Sequence, residues 1–301
     1  MGPTAVGKST AAERVALACD GQIVSADSMQ VYRGMDIGTA KTPASKRLVP
    51  YHCVDVVDVG VAYSAALFQR DARAAIAAIR AVGSLPMVVG GTGLYVRAAL
   101  DDMDFPAGDA SSPLRTELEL LAAEEGPAAL HERLRGIDPE AAALIHPNNV
   151  RRVVRALEMA ASGTSYASQA AGFPVRRAHY PRTLFLGLTM ERSTLYGRID
   201  ARVDAMLEAG LLAEVGRLLA EGHREALSAS QAIGYKELVP VLDGQRPLEQ
   251  AVYAIKQSTR RYAKRQLTWF RADPRITWID VTGLSLDDAV SVVIDLVESS
   301  D

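Results

Sequence analysis

Two hydrophobic patterns divide this chain. Over residues 1–103 and again over 182–301, short apolar runs closed by turn residues alternate with stretches whose apolar positions recur every three or four residues. That is the rhythm of a mostly parallel sheet covered by helices. Residues 22–26 and 85–89 read as strands, the first ending at Asp27 and the second at Gly90-Gly91-Thr92-Gly93. Residues 53–57 and 184–188 read as two more. Ser64 is placed to cap a helix carrying Phe68, Ala72, Ile76 and Ile79 on one stripe. A second helix starts at Arg192, with Leu195, Ile199, Val203, Met206 and Leu207 on its apolar face. From 104 to 181 the pattern changes to Ala- and Glu-rich helical stretches broken by Pro106, Pro113, Pro127, Pro139 and Pro147. The expectation is an α/β core, discontinuous in sequence (1–103 and 182–301), with an inserted all-helical lobe over 104–181.

The strongest local signal opens the chain. Gly2-Pro3-Thr4-Ala5-Val6-Gly7-Lys8-Ser9-Thr10 has two glycines five positions apart, followed by Lys and a hydroxyl residue, which is the P-loop pattern. Glycines let successive backbone N–H groups turn inward, Lys8 adds a point charge, and the helix that follows aims its positive end at an anion. A diphosphate-bearing ligand is implied, with the Ser9 hydroxyl on a shared Mg²⁺. A strand ordinarily feeds such a loop, and only Met1 precedes Gly2. The parallel sheet is therefore expected to lack its central strand and to be weaker for it. In open α/β sheets ligands lie beyond the carboxyl ends of the strands, so Asp27, Thr92 and the P-loop should converge on one cleft. Arg198 and Arg202 share a helix face, and beside a P-loop such a pair can close over a diphosphate.

Composition narrows the class. With 301 residues, 49% of them hydrophobic and 23% charged, the chain can bury a substantial core. No run reaches the about 18 to 20 uncharged apolar residues of a membrane span, and the N-terminus has no signal-peptide pattern, so a cytoplasmic protein is expected. Cys19 and Cys53 have no paired spacing and the five histidines are scattered, which supports neither a disulfide framework nor a zinc site. A net charge of −3 argues by itself against a nucleic-acid partner. Its distribution argues the reverse. Lys256, Arg260, Arg261, Lys264, Arg265, Arg271 and Arg275 face only Asp273 between 256 and 275, with Tyr262, Trp269 and Phe270 interleaved. Arg151, Arg152 and Arg155 form a second cluster, and Arg176, Arg177 and Arg182 a third.

Five further segments carry a family resemblance: Asp27-Ser28-Met29-Gln30-Val31-Tyr32, Met35-Asp36-Ile37-Gly38-Thr39-Ala40-Lys41, Gly90-Gly91-Thr92-Gly93-Leu94-Tyr95, Arg155-Ala156-Leu157-Glu158, and 263–271. In this order, over nearly the whole chain, the sequence resembles the bacterial tRNA dimethylallyltransferases. The resemblance implies transfer of a dimethylallyl group from dimethylallyl diphosphate to the exocyclic amine of the adenosine just 3′ of the anticodon, in tRNAs reading codons that start with U. On that reading the P-loop holds a departing diphosphate and not ATP. The resemblance also makes Asp27 the base for the amine, sets Thr92 beside it, and implies a monomer.

The chemistry fits that reaction. Allylic C–O cleavage builds negative charge on the departing diphosphate, which Lys8, the P-loop amides, Mg²⁺ on Ser9 and Arg202 would stabilise. An amine that attacks must lose a proton, which calls for a carboxylate in reach. By resemblance, tRNA contacts fall on Asp27, Ser28, Met29, Gln30, Thr92, Arg115, Arg151, Arg152, Arg155, Gln231, Gly234, Tyr235, Lys236, Lys264, Arg265, Gln266, Trp269 and Arg271. An anticodon loop can splay its bases out, so the adenine would flip into the cleft. Three other readings use much of the same sequence: transfer to a free adenine nucleotide, a P-loop small-molecule kinase, and a non-catalytic RNA-binding protein.

Overall fold

The structure is a computed structural model that describes residues 1–105, 112–173, 175–222, 224 and 232–299. Two compact units are formed, one of Met1–Leu100 with Tyr180–Asp301, the other of Asp101–His179. In the first unit the order is α1 (Lys8–Ala18), β1 (Gly21–Ala26), β2 (Tyr51–His52), α2 (Ala65–Ala81), β3 (Leu85–Gly90) and α3 (Gly93–Leu100). The second unit contributes α4 (Pro113–Glu124), α5 (Gly126–Ile137), α6 (Pro139–Leu144), α7 (Val150–Ala161) and α8 (Tyr166–Gly172). The first unit then resumes with β4 (Leu186–Thr189), α9 (Arg192–Glu208), α10 (Leu211–Ala220), α11 (Tyr235–Leu242), α12 (Leu248–Arg271), β5 (Thr277–Asp280) and α13 (Leu286–Glu298).

Among the described residues all strand pairing in the first unit is parallel. β1 lies between β2 and β3, while β4 and β5 form a second ladder. The β1/β3 register runs from Gly21 opposite Leu85 to Ala26 opposite Gly90. The residues that follow each strand, Asp27 and Gly91, therefore emerge side by side. α2 begins where the sequence places it: Ser64 accepts the Leu67 N–H at 3.2 Å, and Phe68, Ala72, Ile76 and Ile79 are buried. Phe68 stacks on Tyr95 with ring centroids 4.0 Å apart, so one apolar stripe fixes both α2 and α3; each large side chain there contributes about 2 kcal/mol of burial.

Between the two ladders lies a cavity of about 590 Å³, bordered by residues 85–89 of β3 and by Leu186 and Leu188 of β4. The chain start is tied to its β4 side: the Met1 ammonium donates to the Leu186 carbonyl at 2.7 Å and the Leu188 N–H donates to the Met1 carbonyl at 2.9 Å. Burial, with Lys8 nearby, pulls that ammonium down to about 5.

One expected strand is absent. Residues 53–57 turn rather than extend, because Cys53 and Asp55 have left-handed φ values of 60° and 56°, and the strand at this place is the two-residue β2 just before them. Lys41 explains the turn. Its buried ammonium donates to the Tyr32 carbonyl at 2.8 Å, to Asp36 at 2.7 Å and to Asp55 at 2.6 Å, which uses all three of its protons. Drawing Asp55 onto Lys41 outweighs the β propensity of the valines around it.

The second unit, Asp101–His179, is helical. Leu118, Leu130, Leu134, Val153, Val154 and Leu157 form its core. Three of the prolines that interrupt the sequence pattern open helices: Pro113, Pro127 and Pro139 each occupy the first or second position of α4, α5 or α6, where a missing N–H costs nothing; Pro147 lies in a turn and Pro106 outside the described residues. His131 is buried here, its Nε2 within 3.0 Å of the Ala142 carbonyl and 2.9 Å of the Ile145 carbonyl, so it is a structural donor.

Candidate active site

The P-loop is shaped by left-handed residues. Ala5 (φ 64°) and Gly7 (φ 99°) reverse the backbone, and a Cβ on Gly2 would lie 2.4 Å from the Leu188 carbonyl oxygen, so the first glycine is a requirement of close approach. α1 starts at Lys8, and the exposed Ser9 and Thr10 stand at its positive end. The Lys8 ammonium donates to the Pro3 carbonyl at 2.6 Å. Burial, then repulsion from Arg202, pushes Lys8 down to about 7, with Asp27 opposing the shift. Arg202 reaches the same place from α9; its pKa is lowered by burial and supported by Asp27. Arg198, one turn away, stays exposed. Two cations forced together against desolvation and a single carboxylate make a site short of negative charge, which an anion supplies.

Asp27, Lys8, Ser9, Thr10 and Arg202 line one cavity of about 250 Å³. Thr92 adjoins Asp27 through the strand register: the Ser28 N–H donates to the Thr92 Oγ1 at 3.0 Å, and the Thr92 N–H donates to the Ala26 carbonyl at 3.1 Å. One oxygen of Asp27 accepts the Met29 N–H at 2.9 Å, so the carboxylate caps its own turn and still has accepting capacity. Three glycines at the carboxyl end of β3 and just beyond it each solve a different close approach. An added Cβ would lie 2.1 Å from the Ala26 oxygen at Gly90, 2.2 Å from Gln266 at Gly91 and 2.0 Å from the Trp269 ring at Gly93. α12 thus lies directly against this turn.

The residues expected at tRNA fall into three groups. Arg151, Arg152, Lys236, Lys264, Arg265 and Arg271 are exposed, and Arg261, Lys264, Arg265, Thr268 and Trp269 outline a shallow recess on α12. Others are held by neighbours: Arg115 is bidentate on Glu158 at 2.9 and 2.7 Å, with Arg155 3.6 Å from the same carboxylate. The third group is drawn into the interior. Tyr235 is fully buried, its hydroxyl donating to Glu214 at 2.5 Å. Gln266 is buried between the P-loop and Gly91. Gln30 spends both ends of its amide inside, accepting from the Ser25 hydroxyl at 2.9 Å and donating to the Thr39 carbonyl at 3.2 Å. Gly234 is also buried, Ser28 and Met29 are half-buried beside Asp27, and Gln231 lies outside the described residues. Within the basic strip, Lys256 pairs with Asp204, Arg260 with Asp200 and Arg275 with Asp273, so the charge left facing solvent is narrower than the sequence implies.

Glu214, which sequence reasoning missed, holds the segment 36–38: its carboxylate accepts the N–H groups of Asp36, Ile37 and Gly38 at 3.1, 2.8 and 3.1 Å. Tyr262 was missed too. It stands on α12 one turn before Gln266 and lines the cavity with Asp27. Its spacing to Gln266 was the available signal, masked by the cations around it.

A family model described as IPP transferase matches residues 30–273. The chain belongs to the IPP transferase family. Relatives of this IPP transferase include a tRNA dimethylallyltransferase of Exiguobacterium sp., 50% identical over 99% of this chain and 94% of its own length. A solved tRNA isopentenylpyrophosphate transferase of Bacillus halodurans is 44% identical, with a TM-score of 0.73 over 99% of this chain and 94% of its own. A crystallographically solved eukaryotic dimethylallyltransferase acting on tRNA is 29% identical, with a TM-score of 0.80 over 99% of this chain and 78% of its own.

Proposed function

We propose that this IPP transferase moves a dimethylallyl group from dimethylallyl diphosphate to the exocyclic amine of the adenosine 3′ of the anticodon in tRNA. One observation carries the reading: a single cavity joins a phosphate cradle to a carboxylate, Asp27, while the helix packed on its rim turns an exposed cationic face outward. The names of the relatives, which act on tRNA or are called dimethylallyltransferases, support the same substrates. In the proposed step the allylic C–O bond breaks and its electron pair leaves on the diphosphate. The P-loop N–H groups, Lys8 and Arg202 stabilise that charge as it develops. The amine nitrogen bonds to the allylic carbon and its proton passes to Asp27, with Thr92 orienting the amine.

Mg²⁺ fits the donors present. Ser9 offers an exposed hydroxyl at the mouth of the cradle, and among the described residues no cluster of three or more His, Cys, Asp or Glu side chains offers a closed metal cage. Such a site suits a hard cation shared with diphosphate oxygens, and its chemistry would be charge neutralisation on the leaving group. Among the described residues no helix is long and apolar enough to cross a membrane; the proposed setting is the cytoplasm, where the protein would act as a monomer.

The test supplies labelled dimethylallyl diphosphate with unmodified tRNA, with AMP, or with neither, alongside labelled ATP and small acceptors. The reading expects label on tRNA adenosine. Label on AMP alone, or phosphoryl transfer from ATP to a small acceptor, overturns it.

A further inference from the structure

α12 presents two faces with different work. Arg261, Lys264, Arg265 and Thr268 face outward around the shallow recess, whereas Tyr262 and Gln266, spaced by one helical turn, face the cavity. Gln266 is buried and bridges two loops. Its Oε1 accepts the N–H of Thr4 in the P-loop at 2.8 Å, and its Nε2 donates to the Gly91 carbonyl at 2.8 Å. Gly91 has no room for a side chain because this amide occupies the space, with only 2.2 Å available to a Cβ. The amide therefore decides where the P-loop stands relative to the end of β3. One turn back, Tyr262 lines the same cavity as Asp27.

We propose that Gln266 is a positioning residue for the diphosphate cradle in the transfer step. This rests on the functional reading above and adds to it. Gln266 holds the Thr4 amide in one orientation, and with it the turn that leads into Ala5 and Lys8. The arrangement assigns Gln266 away from tRNA, although it lies among exposed cations in sequence.

The role is read in kinetics. Gln266→Met keeps the volume and removes both bonds; donor KM should rise about tenfold or more with tRNA affinity unchanged. Gln266→Glu, which retains the acceptor for Thr4 and loses the donor to Gly91, should fall between wild type and Gln266→Met in donor KM. It also serves if the Met variant fails to fold by circular dichroism. Weakened tRNA binding with unchanged donor KM in the Gln266 variants would make this residue an RNA contact and overturn the proposal. Wild-type protein is assayed first: if it fails to prenylate tRNA, the functional reading has failed, whereas an active wild type with unmoved variants sinks only the positioning role.

Discussion

Lys8 is the residue whose replacement should improve the fold and end the function. Enclosed by the P-loop and repelled by Arg202, it is displaced from the ordinary 10.5 to about 7. At about 1.36 kcal/mol per pH decade this corresponds to about 5 kcal/mol. Lys8 is only partly buried by surface area, and water screening and local relaxation reduce the effective cost to about 2 kcal/mol. The sign follows from proton binding. Between pH about 7 and 10.5 the unfolded chain holds a proton on Lys8 that the folded chain has released, so this group makes the wild type more stable as pH rises through that window. Its destabilising effect is full below about 7. Methionine does not titrate. Lys8→Met should therefore unfold about 2 kcal/mol later than wild type near pH 6.5, a rise of about 5 °C in Tm, and the advantage should fade toward pH 10. Saturating inorganic diphosphate should reverse the order, since at about 100 times Kd it adds about 2.7 kcal/mol to wild type alone. Thermal melts across pH, with and without diphosphate, provide the assay. A Lys8→Met protein no more stable than wild type near pH 6.5, or an advantage that does not change with pH, refutes the reasoning.

Asp27→Asn should lower kcat by about 10²-fold or more while tRNA affinity stays within a few-fold, measured by single-turnover transfer beside filter binding; equal kcat removes Asp27 as the base. Arg265→Ala should weaken tRNA binding and reduce its salt dependence by about one charge, with the rate preserved at saturating tRNA. Gly93→Ala forces a methyl to 2.0 Å from the Trp269 ring and should destabilise by about 1 to 3 kcal/mol, read as a lowered urea midpoint; an unshifted midpoint would show that α12 yields freely.

What could be read in the sequence followed from local rules. Ser64, Phe68, Ala72, Ile76 and Ile79 signal α2 because cap and stripe lie within one helix, and the P-loop is legible because its residues are contiguous. Asp27 and Thr92 were foreseen together because parallel strands deliver their carboxyl ends to one side. The failures required distant partners. Residues 53–57 look like a strand until Lys41, a dozen positions earlier, draws Asp55 into a turn. No local signal shows that the Tyr235 hydroxyl is taken by Glu214, or that the Gln266 amide, set among Lys264, Arg265 and Arg271, lies between Thr4 and Gly91. β5 went unread for a similar reason: only four residues long, it is defined by its pairing with β4.

The most direct measurement of the central claim is a crystal structure of the protein with a non-hydrolysable dimethylallyl diphosphate analogue and an unmodified anticodon stem-loop. The account predicts the diphosphate on the P-loop between Lys8 and Arg202, the allylic carbon turned toward a flipped adenine, and its exocyclic amine beside Asp27. A nucleoside triphosphate seated in that cradle in competition with the analogue, with its terminal phosphate aimed at an acceptor near Asp27, would contradict it.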